Sequence, residues 1–289
     1  MQDDITESVV GVIADVHGMI RRVQLEALSN RSIDSLQAFE CVLRANAYYY
    51  VLTAEEHLLV RGCLERAVKE EPDYVEAWSL LAGVYIDEHS LGFNPERGSM
   101  RRALEAAQEA VRLDPSDQLG HYMVAHAQFI RQDLDAFYDA AKRALELSPN
   151  NTDVLATLGM ELAFAGDWEH GLVMVEKARK INPFHPDWFF FPLALDQIRK
   201  GHYAAALDHA SEIKMPDFFW TYIVLAQIHG HLGNTEEARE AVAKLEELYP
   251  GFSLDAAFSE YTVWNISGEV VERALEGLRK AGVPEGTWN

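Results

Sequence analysis

The apolar residues Ile5, Val9, Val12, Val16, Met19 and Val23 follow one another at alternating steps of four and three. That spacing is the seam of an amphipathic helix, and Val10, Ile13 and Ile20 widen it. It predicts a helix within residues 1–31. Further on, helical stretches end repeatedly in the same way: Val111-Arg112-Leu113-Asp114-Pro115, Leu145-Glu146-Leu147-Ser148-Pro149, Arg179-Lys180-Ile181-Asn182-Pro183. Proline has no N–H and cannot continue the helix it follows, so each marks a stop. These three prolines lie 34 residues apart. Pro72 precedes Pro115 by 43 residues, and Pro250 lies 67 beyond Pro183, two units less one residue.

Within the period the remaining positions read as helix, turn, helix. With the proline at position 32, the unit from Thr152 has Leu158-Gly159 at positions 7 and 8, Gly166 at 15 and Ala178 at 27. Glycine at 15 allows a left-handed helix cap, and alanine at 27 lets two helices cross closely. The unit from Gln118 has Ala125 at 8, Phe137 at 20 and Ala144 at 27, and the unit ending at Pro250 has Ala226, Gly233 and Ala238 at 8, 15 and 20. Val75 opens a unit with Trp78, Leu81-Ala82 and Tyr85 at matching places. These positions resemble the tetratricopeptide repeat. The resemblance implies an all-α fold, an α-solenoid of helix–turn–helix repeats wound as a right-handed superhelix, in which neighbouring repeats bury each other's apolar faces.

The expected repeats are 36–74, 75–117, 118–151, 152–186, 187–218 and 219–252. The second contains a long connection through Ser90-Leu91-Gly92-Phe93-Asn94-Pro95. The fifth is irregular: Gly201 and Ala206 fit only if it begins at Asp187, and Pro216 cuts its second helix short. Residues 253–289 are expected to supply capping helices near Leu254–Trp264 and Glu269–Ala281, with Arg273, Glu276, Arg279 and Lys280 outward.

The order of the pieces resembles the carboxy-terminal half of bacterial signalling proteins in which a TolB-like segment precedes tetratricopeptide repeats. Many of these are class III adenylate or guanylate cyclases, and others are DNA-binding transcriptional regulators. The stretches that carry the likeness are Ile5–Arg22, Leu36–Ala45, Glu65–Val68 with Glu71–Tyr74 into Trp78, and Val271–Pro284. The chain carries neither a cyclase nor a DNA-binding domain. The resemblance therefore implies a regulatory repeat module without either activity.

Charge changes the picture of partners. The net charge is −21. Binding to phosphate backbones or anionic headgroups needs clustered Lys and Arg, so neither nucleic acid nor a membrane surface is an expected partner. A basic or neutral peptide is favoured by opposite-field steering. No apolar run reaches the roughly 18 residues of a membrane span, and Met1-Gln2-Asp3-Asp4 is acidic where a secretory leader is basic. Cys41 and Cys63 read as buried thiols, and the chain is expected in the cytoplasm.

Candidate chemistry is sparse. Helical metal ligands should stand three or four residues apart; His229 and His231 are two apart, and His121 and His126 five. There is no glycine-rich phosphate loop. Carboxylate pairs such as Glu236-Glu237 and Glu246-Glu247 belong to solvated helix faces. No catalytic residue, cofactor or metal site is expected, and the chain reads as a non-enzymatic protein-interaction scaffold.

Positions 2, 5, 6 and 9 of each first helix line the concave surface of this repeat. The candidate binding residues there are Tyr122, Met123, His126, Met160, Trp188, Phe191, Trp220 and Gln227. The Lys, Arg and Asn of a carboxylate clamp are missing. The aromatics either wedge the irregular fifth repeat or anchor an apolar peptide or helix; a pocket for a small or lipid-like ligand is the alternative function. The amphipathic segment at 5–23 carries more apolar surface than one docking seam needs, so a two-fold homodimer through it is expected.

Overall fold

The computed structural model describes residues 36–286. All regular structure among them is helical, and the helices come in antiparallel pairs. The first pair is α1 (Ala38–Tyr48) and α2 (Ala54–Glu70). Next come α3 (Val75–Ser90) with α4 (Ser99–Leu113), α5 (Gln118–Ile130) with α6 (Leu134–Leu147), and α7 (Thr152–Phe164) with α8 (Trp168–Ile181). A 3-10 turn at Asp187–Phe190 leads into α9 (Phe191–Lys200) and the short α10 (Tyr203–Ala210). Then follow α11 (Phe219–Leu232), α12 (Thr235–Leu248), α13 (Leu254–Val263) and α14 (Glu269–Ala281). The expected N-terminal amphipathic helix lies outside the described residues.

The helix ends obey local chemistry. Thr53, Asp117, Asp133 and Ser253 cap their helices by accepting a hydrogen bond from a backbone N–H of the first turn. Gly201 and Gly233 close α9 and α11 with φ of 76° and 74°, the left-handed state that only glycine adopts without penalty. Gln132 takes the equivalent place after α5 at φ 63°.

The described residues form two compact units, 36–161 with 173–186 and 162–172 with 187–286. In the first, Tyr48, Leu64, Leu81, Ile86, Phe129, Phe137 and Leu158 are fully buried. Each such aliphatic or aromatic side chain contributes about 1.5–3 kcal/mol of burial. Ala103, Ala107, Ala110 and Ala144 show no exposure, which lets helix axes approach closely. In the second unit Phe189, Leu195, Ile198, Ile223 and Tyr261 fill the core.

Two features depart from a plain repeat. The connection between α3 and α4 is held by Glu88, almost fully buried, which accepts from Arg61 of α2 at 2.8 Å and Arg102 of α4 at 2.5 Å. Asn94 donates to the Ala54 carbonyl at 2.6 Å, fastening the loop to the start of α2. The second feature corrects the reading of Cys41 and Cys63 as thiols. They form a disulfide between α1 and α2, because the paired helices bring their Cα atoms to 5.4 Å. The bond also removes the thiol argument for a reducing compartment. No described helix is long and apolar enough to cross a membrane.

Candidate functional site

In the first unit, three successive first helices bring polar groups together beneath their shared face. Tyr122 and His126 stand one turn apart on α5, with rings stacked at 6.0 Å. His126 Nδ1 is in direct hydrogen-bond contact with Glu161 Oε1 of α7. From the other side Asp87 of α3 acts electrostatically on His126, and the Tyr48 hydroxyl at the end of α1, itself without a hydrogen-bond partner, lies close enough to act on Asp87. Tyr49 reaches the same place: a Cβ on Gly83 would lie 2.5 Å from its hydroxyl and 3.2 Å from the Met123 methyl. Glycine at 83 is therefore what admits the tyrosine. Met123 and Met160 are buried beside this cluster on α5 and α7.

Asp87 and Glu161 keep 6% and 0% of their surface. Burial penalises a charged carboxylate, and it pushes Asp87 up to about 7 against the pull of His126 and the Tyr48 hydroxyl. Burial raises Glu161 as well, against His126. It opposes a charged imidazole, but Glu161, Asp87 and Asp153 outweigh it and hold His126 above its ordinary value. Asp87 Oδ2 and Glu161 Oε2 are buried without a hydrogen-bond partner.

In the second unit the candidate side chains meet the chain itself. Trp188 is half-buried in the 3-10 turn with its ring 4.4 Å from Phe189. Phe191 packs edge-on to Phe218 at 5.8 Å, and Trp220 edge-on to Tyr261 of α13 at 5.2 Å. Gln227, fully buried, donates to the Tyr261 hydroxyl at 2.9 Å. The final helix α14 packs on α11 and α9, the first helices of this unit. Gly230 and Gly277 make that contact possible, since a Cβ on Gly230 would stand 2.0 Å from the Gly277 carbonyl oxygen. His231 Nε2 lies 2.6 Å from the Arg273 carbonyl oxygen, and the His231 ring stacks on Tyr203 at 3.9 Å. Trp220 and Gln227 thus meet the capping helix α13, while Trp188 and Phe191 pack on Phe189 and Phe218.

Of the eight candidates, Tyr122, Met123, His126 and Met160 gather in one unit, and Trp188, Phe191, Trp220 and Gln227 belong to the other. Sequence reasoning passed over Asp87, Glu161, Tyr48 and Tyr49. The available signal was an acidic residue directly following buried apolar ones, as in Tyr85-Ile86-Asp87 and Gly159-Met160-Glu161. No group of three or more His, Cys, Asp or Glu among the described residues is arranged to hold a metal ion.

Two stretches match family models described as tetratricopeptide repeat, residues 96–152 and 221–252. The chain carries tetratricopeptide repeats. Tetratricopeptide folds mediate protein–protein contacts as a class, and both models describe a repeat rather than an enzyme. The repeat chain is similar to the APC/C hetero-tetramer Cut9–Hcn1, with a TM-score of 0.60 at 15% identity over 90% of this chain and 48% of that one. It is also similar to a human IFIT1 dimer with m7Gppp-AAAA, with a TM-score of 0.55 at 18% identity over 71% of this chain and 50% of that one. The chain thus spans about half the length of these solved structures, and at such identity the likeness is one of fold. No curated protein matches the chain in sequence.

Proposed function

We propose that the chain is a non-enzymatic protein-interaction module, the regulatory repeat part of a bacterial signalling protein, that binds a basic peptide with an apolar anchor. The observation that carries this reading is the gathering of Asp87, His126 and Glu161 with Tyr122 beneath the first-helix face of a tetratricopeptide unit. Stacked repeats offer extended binding surfaces on that side. A net charge of −21 steers cationic partners toward it and repels nucleic acid and anionic membranes. The capped oligonucleotide belongs to the IFIT1 structure; the charge of this chain argues against transferring it.

The alternative of a small or lipid-like ligand in an aromatic pocket is less well supported, because Phe191 and Trp220 already pack on Phe218 and Tyr261. The segment 5–23, outside the described residues, is proposed to pair two copies of the chain. Fluorescence anisotropy with labelled basic and acidic dodecapeptides and an oligoribonucleotide tests the reading. The basic peptides should bind and weaken with salt as screening takes over within about 8 Å. Tighter binding of the oligoribonucleotide would overturn it.

A further inference from the structure

The second helices of the repeats are not equally long. α6, α8 and α12 have 14 residues each, whereas α10 has eight. Six missing residues amount to about 9 Å of helix. α10 packs on α11, and Tyr203 at its start stacks on His231 near the α11 end at 3.9 Å. It therefore runs back along α11 and stops early. Between α11 and its partner α12 a cleft of about 370 Å³ stays open. Tyr222, Leu225 and His229 of α11 line it at steps of three and four, and α12 answers with Glu237, Ala241 and Lys244 at steps of four and three. No residue of α10 lines it. From Tyr222 to His229 the furrow runs about 10 Å, close to the length that α10 lacks.

Shape, apolarity and charge restrict what can lie there. Tyr222 and Leu225 are half-buried beside the buried Ala241 and give the furrow an apolar floor. The Tyr222 hydroxyl donates to the Pro216 carbonyl at 3.0 Å and marks one end. A furrow between two antiparallel helices, lined at steps of three and four, matches the ridge of a third helix. Of the α12 carboxylates, Glu236 pairs with Arg239 and Glu247 with Lys244. Glu237 and Glu240, both lining the cleft and exposed, make no ion pair with a Lys or Arg among the described residues. Such a rim repels anions and sets the register of cationic side chains.

We propose that the furrow between α11 and α12 receives an amphipathic helix of a partner polypeptide. Its apolar ridge lies on Tyr222, Leu225 and Ala241, and Lys or Arg beside that ridge meets Glu237 and Glu240. The partner thereby supplies the turns that the truncated α10 lacks, since a repeat buries its apolar face only against a neighbour. This surface belongs to the second unit and goes beyond the contact proposed for the first.

The test uses the full chain and a phage library of helical peptides of about 14 residues. Selected peptides should carry apolar residues at steps of three and four with Lys or Arg beside them. The Glu237→Lys, Glu240→Lys double variant changes only exposed positions, and it should bind a selected peptide at least tenfold more weakly. Exchanging the peptide's Lys and Arg for Glu should restore binding on that variant and abolish it on the wild-type chain. A central proline should also abolish binding; a proline peptide that binds equally well replaces the helix by an extended segment and overturns the proposal. So does binding unchanged by the charge exchange, or selection of no peptide. Sedimentation is run on both chains: a wild-type dimer that becomes monomeric on the double variant assigns the furrow to a second copy, and the partner helix falls. Basic dodecapeptides that still bind the double variant in the anisotropy assay keep the first-unit reading, whichever way this test ends.

Discussion

Replacing Gly230 by alanine should break the contact between α11 and α14. The new Cβ would sit 2.0 Å from the Gly277 carbonyl oxygen and 2.9 Å from the Ala281 nitrogen, both backbone atoms that no rotamer change can move aside. Ordinary contact begins near 3.4 Å, so α14 must retreat by about 1.4 Å, given that distance. The retreat loosens α14 from α11 and uncovers Val270, Val271, Ala274 and Leu278, which are buried in the intact packing. Overpacking of this kind costs about 3 kcal/mol. Alanine returns about 1 kcal/mol through its better helix propensity, so the net loss is about 2 kcal/mol. For a urea slope of about 3 kcal/mol per molar, the midpoint should fall by roughly 0.7 M, read by tryptophan fluorescence. Gly62→Ala in α2 is the paired control: its Cβ meets nothing within 4 Å, so the propensity term acts alone and should stabilise by about 0.5–1 kcal/mol. A Gly230→Ala chain as stable as its parent would refute the close-crossing argument.

Three further outcomes are expected. Ala144→Leu and Ala178→Leu insert volume where no side-chain surface is exposed and should each cost about 1–3 kcal/mol in urea unfolding; unchanged midpoints would mean the repeat register is misread. Reducing the Cys41–Cys63 bond, which spans 22 residues, should lower stability by about 3 kcal/mol from restored chain entropy. A thiol count on protein drawn from cells then tells a reducing from an oxidising compartment. Asp87 titrates higher folded than unfolded, about 7 against 3.8, so its contribution to stability is fully present below pH 4 and is lost as pH rises through 7. Asp87→Asn should therefore raise the urea midpoint at pH 8 by more than at pH 4, and an equal effect at both would show that the buried carboxylate carries no such penalty.

Much of the fold was legible because proline and small-residue spacing report backbone constraints that packing cannot override. Gly201 and Gly233 were expected as left-handed caps and have that conformation, and the α10 helix ends before Pro216 as its sequence required. The site was less legible. Positions 2, 5, 6 and 9 identify the face of a first helix but say nothing of what covers it. In the second unit α13 meets Trp220 and Gln227 there, and α14 closes on α11 through two glycines that carry no periodic signal of their own. In the first unit, Asp87 lies outside those four positions, and only three-dimensional packing joins it to His126 and Glu161. The disulfide was missed because two cysteines in different helices reveal no distance; pairing α1 with α2 sets it.

Hydrogen exchange of the full chain, with and without a basic dodecapeptide that binds in the anisotropy assay, tests most directly whether these repeats bind a peptide through their first helices. Added protection is expected in α3, α5 and α7 around Asp87, His126 and Glu161. Protection confined to the second helices α4, α6 and α8, or none at saturating peptide, would contradict the account.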